Sequence, residues 1–220
     1  MPDYLRPLQS LFEKGTVTAY AAARLVDDEL YPEERAYIAH AVPTRRAEFG
    51  TARVLARRAM SELGIDPCPL VPHADRSPRW PADVIGSISH TQGHCFVAVA
   101  RSARVRALGL DAEQDAGLGR NLEAMICTEG ERRWLKALPD DRRDRAGMVL
   151  FSAKEAFYKC QYPTTRTFLD FQEVEIQIDA AMSTFSVRRV GGNDSSRRWV
   201  EQVRGRLRLA GGLIMAAAIA

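Results

Sequence analysis

Cysteine and lysine are both scarce in this chain of 220 residues. The four cysteines lie far apart, with no CxxC pair among them: Cys68, Cys95, Cys127 and Cys160. This scatter argues against a zinc site or a disulfide framework and is typical of a reducing compartment. Lysine supplies only 4 of the 31 basic residues, yet two of the four lie in the stretch FSAKEAFYK, residues 151–159. Their concentration in one short apolar segment needs a physical reason.

Long apolar runs and a strong net charge are also missing. The longest apolar run, GGLIMAAAIA at residues 211–220, is about half of what a membrane span needs. The first residues, MPDYLRPLQS, have no basic-then-apolar targeting signal. The net charge of +3, from 31 basic and 28 acidic residues, is too small to indicate nucleic acid by itself. We therefore expect a cytoplasmic protein that binds neither membranes nor nucleic acid.

The common nucleotide and hydrolase motifs GxxxxGK[ST], GxSxG and GxGxxG are absent. What is present is the periodicity of an α+β protein. Apolar spacing predicts helices at residues 44–63, 122–138 and 146–160, with a charged loop, DDRRDR, before the third. Short apolar segments in the last fifty or so residues, VEIQID, TFSVRRV, RGRLRL and GGLIMAAAIA, predict antiparallel strands.

Residues 95–110 have the pattern of a β-hairpin, with strands at 95–100 and 105–110. Pairing these strands would bring His94 close to Asp111. Because alternate residues of an extended chain share a side, Asp111 and Glu113 would point the same way. The pattern predicts an imidazole and two carboxylates at one edge of a sheet.

Each charged pair also has an ordinary explanation. Strand ends often carry exposed acidic pairs such as Asp111 and Glu113. An exposed i,i+4 pair such as Glu155 and Lys159 contributes only ~0.2–0.5 kcal/mol. Two features favour a site instead. The aromatic residues around Glu155 predict a largely buried helix, and neighbouring carboxylates repel each other unless a divalent cation binds them.

Arginines and small residues extend this pattern. The first long helix carries Arg46 and Arg53 on one face, with Arg45 beside them, and this could be an ordinary solvated face. The segment GSISH ends at His90, and its small residues allow backbone N–H groups to approach an anion. Oxygen ligands suit Mg²⁺ or Mn²⁺, and Arg and Lys beside such a metal suit a polyphosphate. Together these features favour phosphoryl-type chemistry.

Three motifs in order, GSISH, GLDAE and FSAKEAFYK, resemble the signature of the 4′-phosphopantetheinyl transferases of the Sfp/EntD type. The segments RAEFGTARVLARRAM, SPRWPADVIGS and RGRLRL are similar to its EntD-like branch, so the resemblance covers residues 30–220. It implies a monomer built as a pseudo-twofold pair of similar α+β halves. We expect these halves at residues 1–108 and 109–220, with coenzyme A between them.

The resemblance also implies a reaction. The 4′-phosphopantetheine arm of coenzyme A would move to a serine of a carrier protein, with adenosine 3′,5′-bisphosphate as the other product. Asp111, Glu113 and Glu155 would hold Mg²⁺, for which Mn²⁺ could substitute. Glu155 would accept the serine proton, and Lys159 and His90 would act with it at the phosphates.

The same resemblance assigns the residues that bind coenzyme A. They are Arg45, Arg53, Arg76, Ser89, His90, Lys154 and Lys159. Arg79 is an alternative to Arg76, and Arg46 is an alternative to Arg45.

The partner would be an acyl, peptidyl or aryl carrier protein, and the sequence does not distinguish among siderophore, polyketide, nonribosomal-peptide and fatty-acid carriers. The main alternative is a Mg²⁺-dependent phosphohydrolase that acts on a coenzyme A-like pyrophosphate. An arginine-rich nucleic-acid-binding module is a second alternative, and it leaves the acidic residues unexplained.

Overall fold

The computed structural model describes residues 4–191 and 197–220. The chain divides into two compact units, the N-unit (Met1–Ala107) and the C-unit (Leu108–Ala220). Each unit combines helices with one antiparallel sheet, so the predicted α+β class is confirmed. No helix in the described parts of the chain is long and apolar enough to cross a membrane.

The N-unit contains a three-stranded sheet and one long helix. Its elements are α1 (Leu5–Gln9), β1 (Thr16–Ala22), α2 (Pro32–Ile38), α3 (Pro43–Glu62), β2 (Val84–Thr91) and β3 (His94–Arg101). The strand order is β1-β3-β2. Helix α3 begins with proline at its first turn, as helices often do, and Gly64 follows its end with a φ of +69°. Its small apolar residues, including Ala52, Ala56 and Ala59, pack in one core with Val97 and Val99 of β3.

The predicted hairpin between residues 95–100 and 105–110 is wrong. Strand β3 pairs with β2 through a two-residue turn in which Gln92 and Gly93 both have positive φ, at 48° and 69°. That backbone matches the twist of a tight hairpin, so the turn belongs before β3 rather than after it. Because β1 occupies the other edge of β3, no edge is left for residues 105–110. The expected approach of His94 to Asp111 therefore loses its basis.

The C-unit contains a five-stranded sheet and a helix of 26 residues. Its elements are β4 (Leu108–Gln114), α4 (Arg120–Ile126), α5 (Glu129–Ala137), α6 (Asp140–Thr165), β5 (Val174–Ile178), β6 (Thr184–Arg189), α7 (Arg197–Val200), β7 (Arg204–Ala210) and β8 (Leu213–Ile219). The strand order is β4-β8-β7-β6-β5, which confirms the four late strands expected from the sequence.

Two helix boundaries in the C-unit differ from the prediction. The expected helix at residues 122–138 is two helices, because Cys127 and Thr128 have extended backbone and Thr128 caps α5. The expected DDRRDR loop forms the first turns of α6. Asp140 and Asp141 lie there, where the helix dipole favours negative charge.

The two units repeat one topology. In each unit the first strand pairs with the last, and the last strand also pairs with the strand before it: β1-β3-β2 in the N-unit and β4-β8-β7 in the C-unit. A long helix, α3 or α6, lies between the first strand and the later strands in the chain order. The expected similarity of the two halves is therefore present in the fold of each unit.

Candidate active site

Asp111 is the centre of a polar cluster in the C-unit. It lies on β4 and is buried, and its two carboxylate oxygens receive hydrogen bonds from two residues of α6. Lys159 Nζ donates to Oδ1 over 2.6 Å, and Ser152 Oγ donates to Oδ2 over 2.9 Å. Residues 152 and 159 are seven apart, two helical turns, so one helix face delivers both donors. The structure thus brings Asp111 and Lys159 together, as the resemblance implied for a shared site.

Gly109 allows α6 to lie close to β4. A Cβ atom at this position would lie 1.9 Å from the carbonyl oxygen of Ala156 and 2.5 Å from the backbone nitrogen of Cys160. Both distances are far below contact, so any side chain would push the helix away from the strand. The glycine of the GLDAE motif therefore sets the helix–strand distance at which Lys159 reaches Asp111.

Glu113 and Glu155 complete this set, which we call the carboxylate cluster with Asp111. Burial raises the pKa of Glu113 to about 7; the charge of Asp111 adds to this rise, Lys159 opposes it and Glu155 adds to it. Burial likewise raises the pKa of Glu155, with Lys159 opposing and Asp111 adding. The three carboxyl groups therefore interact electrostatically around one ammonium group.

The carboxylate cluster suits a hard divalent cation in its chemistry. All of its donors are oxygens, and a cation would relieve the repulsion from Asp111 that adds to the effect of burial on the pKa of Glu113. Its side chains do not have the geometry of a metal site, however. Across residues 4–191 and 197–220, no group of three or more His, Cys, Asp or Glu side chains is placed to hold a metal ion. The positive charge at Asp111 is instead the ammonium of Lys159.

A second cluster, in the N-unit, consists of Arg45, Glu48 and His90. Arg45 Nη1 lies 3.0 Å from His90 Nε2, and Glu48 Oε2 lies 3.6 Å from His90 Nδ1. Because a guanidinium only donates, Nε2 accepts in this contact and the ring hydrogen lies on Nδ1, toward Glu48. The side chains of Arg45 and His90 are 47% and 42% exposed, so both can meet an anion from solvent.

The alternative to Arg45 has a different partner. Arg46 bonds to Asp27 rather than to His90. Arg76 and Arg79 are both exposed, and Arg76 has a φ of 67° in the turn that follows His73. Arg45 is therefore the helix arginine that lies with the predicted histidine.

Two other expected ligands in the N-unit are buried. Ser89 lies inside β2, opposite Phe96 of β3. Arg53 donates from Nε to the carbonyl oxygen of Leu70 over 3.0 Å, and its guanidinium lies 4.0 Å from the centre of the Phe49 ring. Burial lowers the pKa of Arg53 to about 10. These contacts tie Arg53 to the interior of the unit rather than to a ligand in solvent.

Lys154 is the most deeply buried of the expected ligands. The resemblance assigned it to coenzyme A, but its ammonium is buried inside the C-unit, 2.8 Å from a carboxylate oxygen of Glu131. It also donates to three backbone carbonyl groups, those of Ile126, Phe171 and Val174. Burial lowers the pKa of Lys154, and the charge of Glu131 opposes this shift. These contacts tie the Lys154 ammonium to the interior of the C-unit.

Sequence reasoning missed three residues that contact the predicted site residues. Ser152 is visible only as a small polar residue in FSAKEAFYK, and Glu48 only as an acid on an arginine-rich helix. Glu131 had a usable signal, because the Thr128–Glu131 spacing is that of a capping box, in which the two side chains satisfy each other's backbone N–H groups.

Comparisons with known proteins agree with the family that the motifs GSISH, GLDAE and FSAKEAFYK resemble. Residues 33–100 match the family model of the 4′-phosphopantetheinyl transferase N-terminal domain, and residues 107–218 match that of the 4′-phosphopantetheinyl transferase superfamily. The chain is 40% identical to 4′-phosphopantetheinyl transferase Svp of Streptomyces mobaraensis, over 96% of this chain and 87% of that protein.

Two further relatives support the same assignment. 4′-Phosphopantetheinyl transferase Npt of Nocardia iowensis is 34% identical, over 78% of this chain and 77% of its own length. Enterobactin synthase component D of Escherichia coli is 32% identical, over 66% of this chain and 69% of its own length. The chain belongs to the 4′-phosphopantetheinyl transferase superfamily and is an enzyme of that type.

Proposed function

We propose that this protein transfers the 4′-phosphopantetheine arm of coenzyme A to a serine of an acyl, peptidyl or aryl carrier protein. The serine oxygen forms a bond to the phosphorus on the pantetheine side, and adenosine 3′,5′-bisphosphate leaves. One observation supports this reaction most: the Lys159 ammonium of FSAKEAFYK meets the Asp111 carboxylate of GLDAE, with Glu113 and Glu155 within electrostatic reach.

We assign Mg²⁺, or Mn²⁺ in its place, to the carboxylate cluster of Asp111, Glu113 and Glu155. A bound divalent ion would supply charge neutralisation at the pyrophosphate. Glu155 would accept the proton of the carrier serine. The Lys159 ammonium would exchange its hydrogen bond to Asp111 for one to a pyrophosphate oxygen.

For the remaining phosphate contacts we retain Arg45 and His90, because both are accessible and adjacent. Arg76 is exposed and stays in the proposed set, with Arg79 as its alternative. Ser89 would contribute through its position next to His90 in β2. Arg53 and Lys154 leave the set because their donors serve the interior of each unit.

We further propose that the enzyme works as a monomer in the cytoplasm. The four cysteines are all free, as expected in a reducing compartment. The enterobactin name of one relative makes a siderophore carrier the first class to test.

The proposed function is tested by intact-mass spectrometry of an apo carrier protein incubated with the enzyme, coenzyme A and Mg²⁺. We expect the carrier to gain the mass of one phosphopantetheine arm, and we expect chelation of the metal to abolish that gain. If coenzyme A is consumed without a carrier and no carrier gains mass, the phosphohydrolase is the correct function. If no carrier class gains mass and coenzyme A is not consumed, the proposed transfer is wrong.

A further inference from the structure

Lys154 connects α6 to three other segments of the C-unit. Its ammonium, with the residue only 1% exposed, lies 2.7–2.9 Å from the carbonyl oxygens of Ile126, Phe171 and Val174. These carbonyls belong to the end of α4, the turn after α6 and the start of β5. One charged group therefore holds the middle of α6 against three separate segments.

Glu131 extends these connections to α5. Its carboxylate, with the residue only 2% exposed, accepts from the backbone nitrogens of Thr128 and Ile176, both over 2.7 Å, and from Lys154 over 2.8 Å. Strand β5 lies at the edge of its sheet, so Glu131 also satisfies an N–H group for which no further strand is available. The Glu131–Lys154 pair thus joins α5, α6 and β5 at one point.

The N-unit has the same device in the same place. Glu34 is fully buried and accepts from the backbone nitrogens of Tyr31, over 3.1 Å, and Leu70, over 2.8 Å. Its partner is Arg57 of α3, whose Nη1 lies 2.7 Å away. Both glutamates are the third residue of the short helix before the long one, and both partners lie on the long helix. A buried ion pair between corresponding elements therefore occurs in both units.

Stability alone does not account for such a pair. Burying two charges is costly, and apolar replacements of buried pairs are often neutral or stabilising. What the pair does supply is a defined position, because its hydrogen bonds are satisfied in one arrangement of the surrounding segments. Around α6, successive residues differ by about 100°, so Lys154 and Lys159 point about 140° apart. Lys154 holds one side of the helix while Ser152 and Lys159 meet Asp111 on another.

We propose that the Glu131–Lys154 pair is a positioning device that sets the rotation of α6 and so places Glu155 and Lys159 for transfer. Glu155 is the next residue after Lys154, and it moves with any rotation of the helix. A rotation of about 20° would displace a side-chain tip by roughly 2 Å at the outer radius of a helix. Misplacement by about 1 Å can slow a reaction ~100-fold. This inference rests on the proposed function, because Glu155 and Lys159 receive their roles from it.

The test is steady-state kinetics of Lys154→Met, Lys154→Arg and Glu131→Gln, with the folded fraction of each variant measured by circular dichroism at the assay temperature. For Lys154→Met we expect kcat per folded molecule to fall about 30–100-fold, with the KM for coenzyme A within about threefold of wild type. Lys154→Arg keeps the charge opposite Glu131 and should recover kcat to within about tenfold. Glu131→Gln should lie between the two.

The matched control is Glu34→Gln in the N-unit, which disturbs the equivalent pair. It should lower the melting temperature about as much as Glu131→Gln, while kcat per folded molecule stays within about threefold. A second readout needs no activity. Hydrogen exchange of residues 150–160 should accelerate at least tenfold in Glu131→Gln and Lys154→Met, less in Lys154→Arg, and it should not change in Glu34→Gln.

The possible results separate failure of the proposed function from failure of the positioning role. If wild type transfers no arm, the proposed function fails, and hydrogen exchange alone then tests whether the pair holds α6. If wild type is active and the C-unit variants keep a normal kcat per folded molecule, the positioning role is wrong. Equal loss of kcat in Glu34→Gln and Glu131→Gln would also overturn it, because general destabilisation would then explain both. If Lys154→Met does not fold, Lys154→Arg and Glu131→Gln decide the question.

Discussion

The two units of this enzyme use one scaffold to present opposite charges. Each has a long helix fixed by a buried glutamate–cation pair, Glu34 with Arg57 and Glu131 with Lys154. The N-unit adds the exposed side chains of Arg45 and His90, whereas the C-unit adds the carboxylate cluster around Lys159. The buried glutamate–cation pairs therefore belong to the repeated scaffold, whereas the side chains grouped around His90 and around Asp111 differ between the units.

The units also differ in how much sheet they build. Strands β5 and β6 of the C-unit correspond in chain order to a single isolated bridge between Pro72 and Pro78 in the N-unit. Proline cannot donate to a strand ladder, which limits how far that pairing extends. Glu131 accepts from the backbone nitrogen of Ile176 in β5, and Glu34 accepts from that of Leu70, two residues before the bridge.

The largest expected effect is the loss of the proposed base. Glu155→Gln keeps the size of the side chain and removes its ability to accept a proton, so we expect kcat to fall ~10²–10⁴-fold. Calorimetric titration without added metal should show coenzyme A affinity within about threefold of wild type. The control is Glu129→Gln, on an exposed side chain of the same unit, which should leave both values unchanged. Full activity of Glu155→Gln would show that the carboxylate cluster of the C-unit does not supply the base.

The next effect tests the close packing of α6 on β4. Gly109→Ala places a Cβ atom 1.9 Å from a backbone oxygen, so the helix must shift away from Asp111. We expect about 3 kcal/mol of lost stability, a fall in melting temperature of roughly 6–12 °C, and loss of transfer activity. Gly119→Ala is the control, because nothing lies within 4 Å of its added Cβ atom. Similar melting temperatures for the two variants would contradict this account.

A third effect concerns the exposed Arg45 side chain of the N-unit. Arg45→Met should raise the KM for coenzyme A about 10-fold and leave kcat within about threefold, because a charge-assisted hydrogen bond to a phosphate is lost. Arg46→Met is the matched control and should change the KM less than threefold, since Arg46 is engaged with Asp27. A larger effect at Arg46 would make it the phosphate ligand in place of Arg45.

The smallest effect has the opposite sign. Glu48 lies 3.8 Å from Arg45 and 3.6 Å from His90, and its negative charge competes with an incoming phosphate. Glu48→Gln should therefore lower the KM for coenzyme A about twofold at low ionic strength, and the difference should shrink in salt. A raised KM would show that Glu48 instead holds Arg45 and His90 in their binding geometry.

Much of the fold and of the carboxylate cluster could be predicted from the sequence. The periodicity of residues 44–63 and of the last strands indicated the correct elements, and the ordered motifs indicated Asp111, Glu113, Glu155 and Lys159. The hairpin failed because a compact apolar strand such as β3 does not itself show which neighbour it pairs with. The two-residue turn at Gln92 and Gly93 was the deciding feature.

The amino-acid sequence was enough to establish the α+β class, the family motifs and the residue types that suit phosphoryl transfer, because these depend on local periodicity and on side-chain chemistry. It did not determine which lysine of FSAKEAFYK is buried in the interior. Lys154 and Lys159 have similar neighbours along the chain, and only the packing of α5 and β5 on one side of α6, and of β4 on another, separates them. Tertiary structure decided that assignment, because burial and partners depend on contacts between residues distant in sequence.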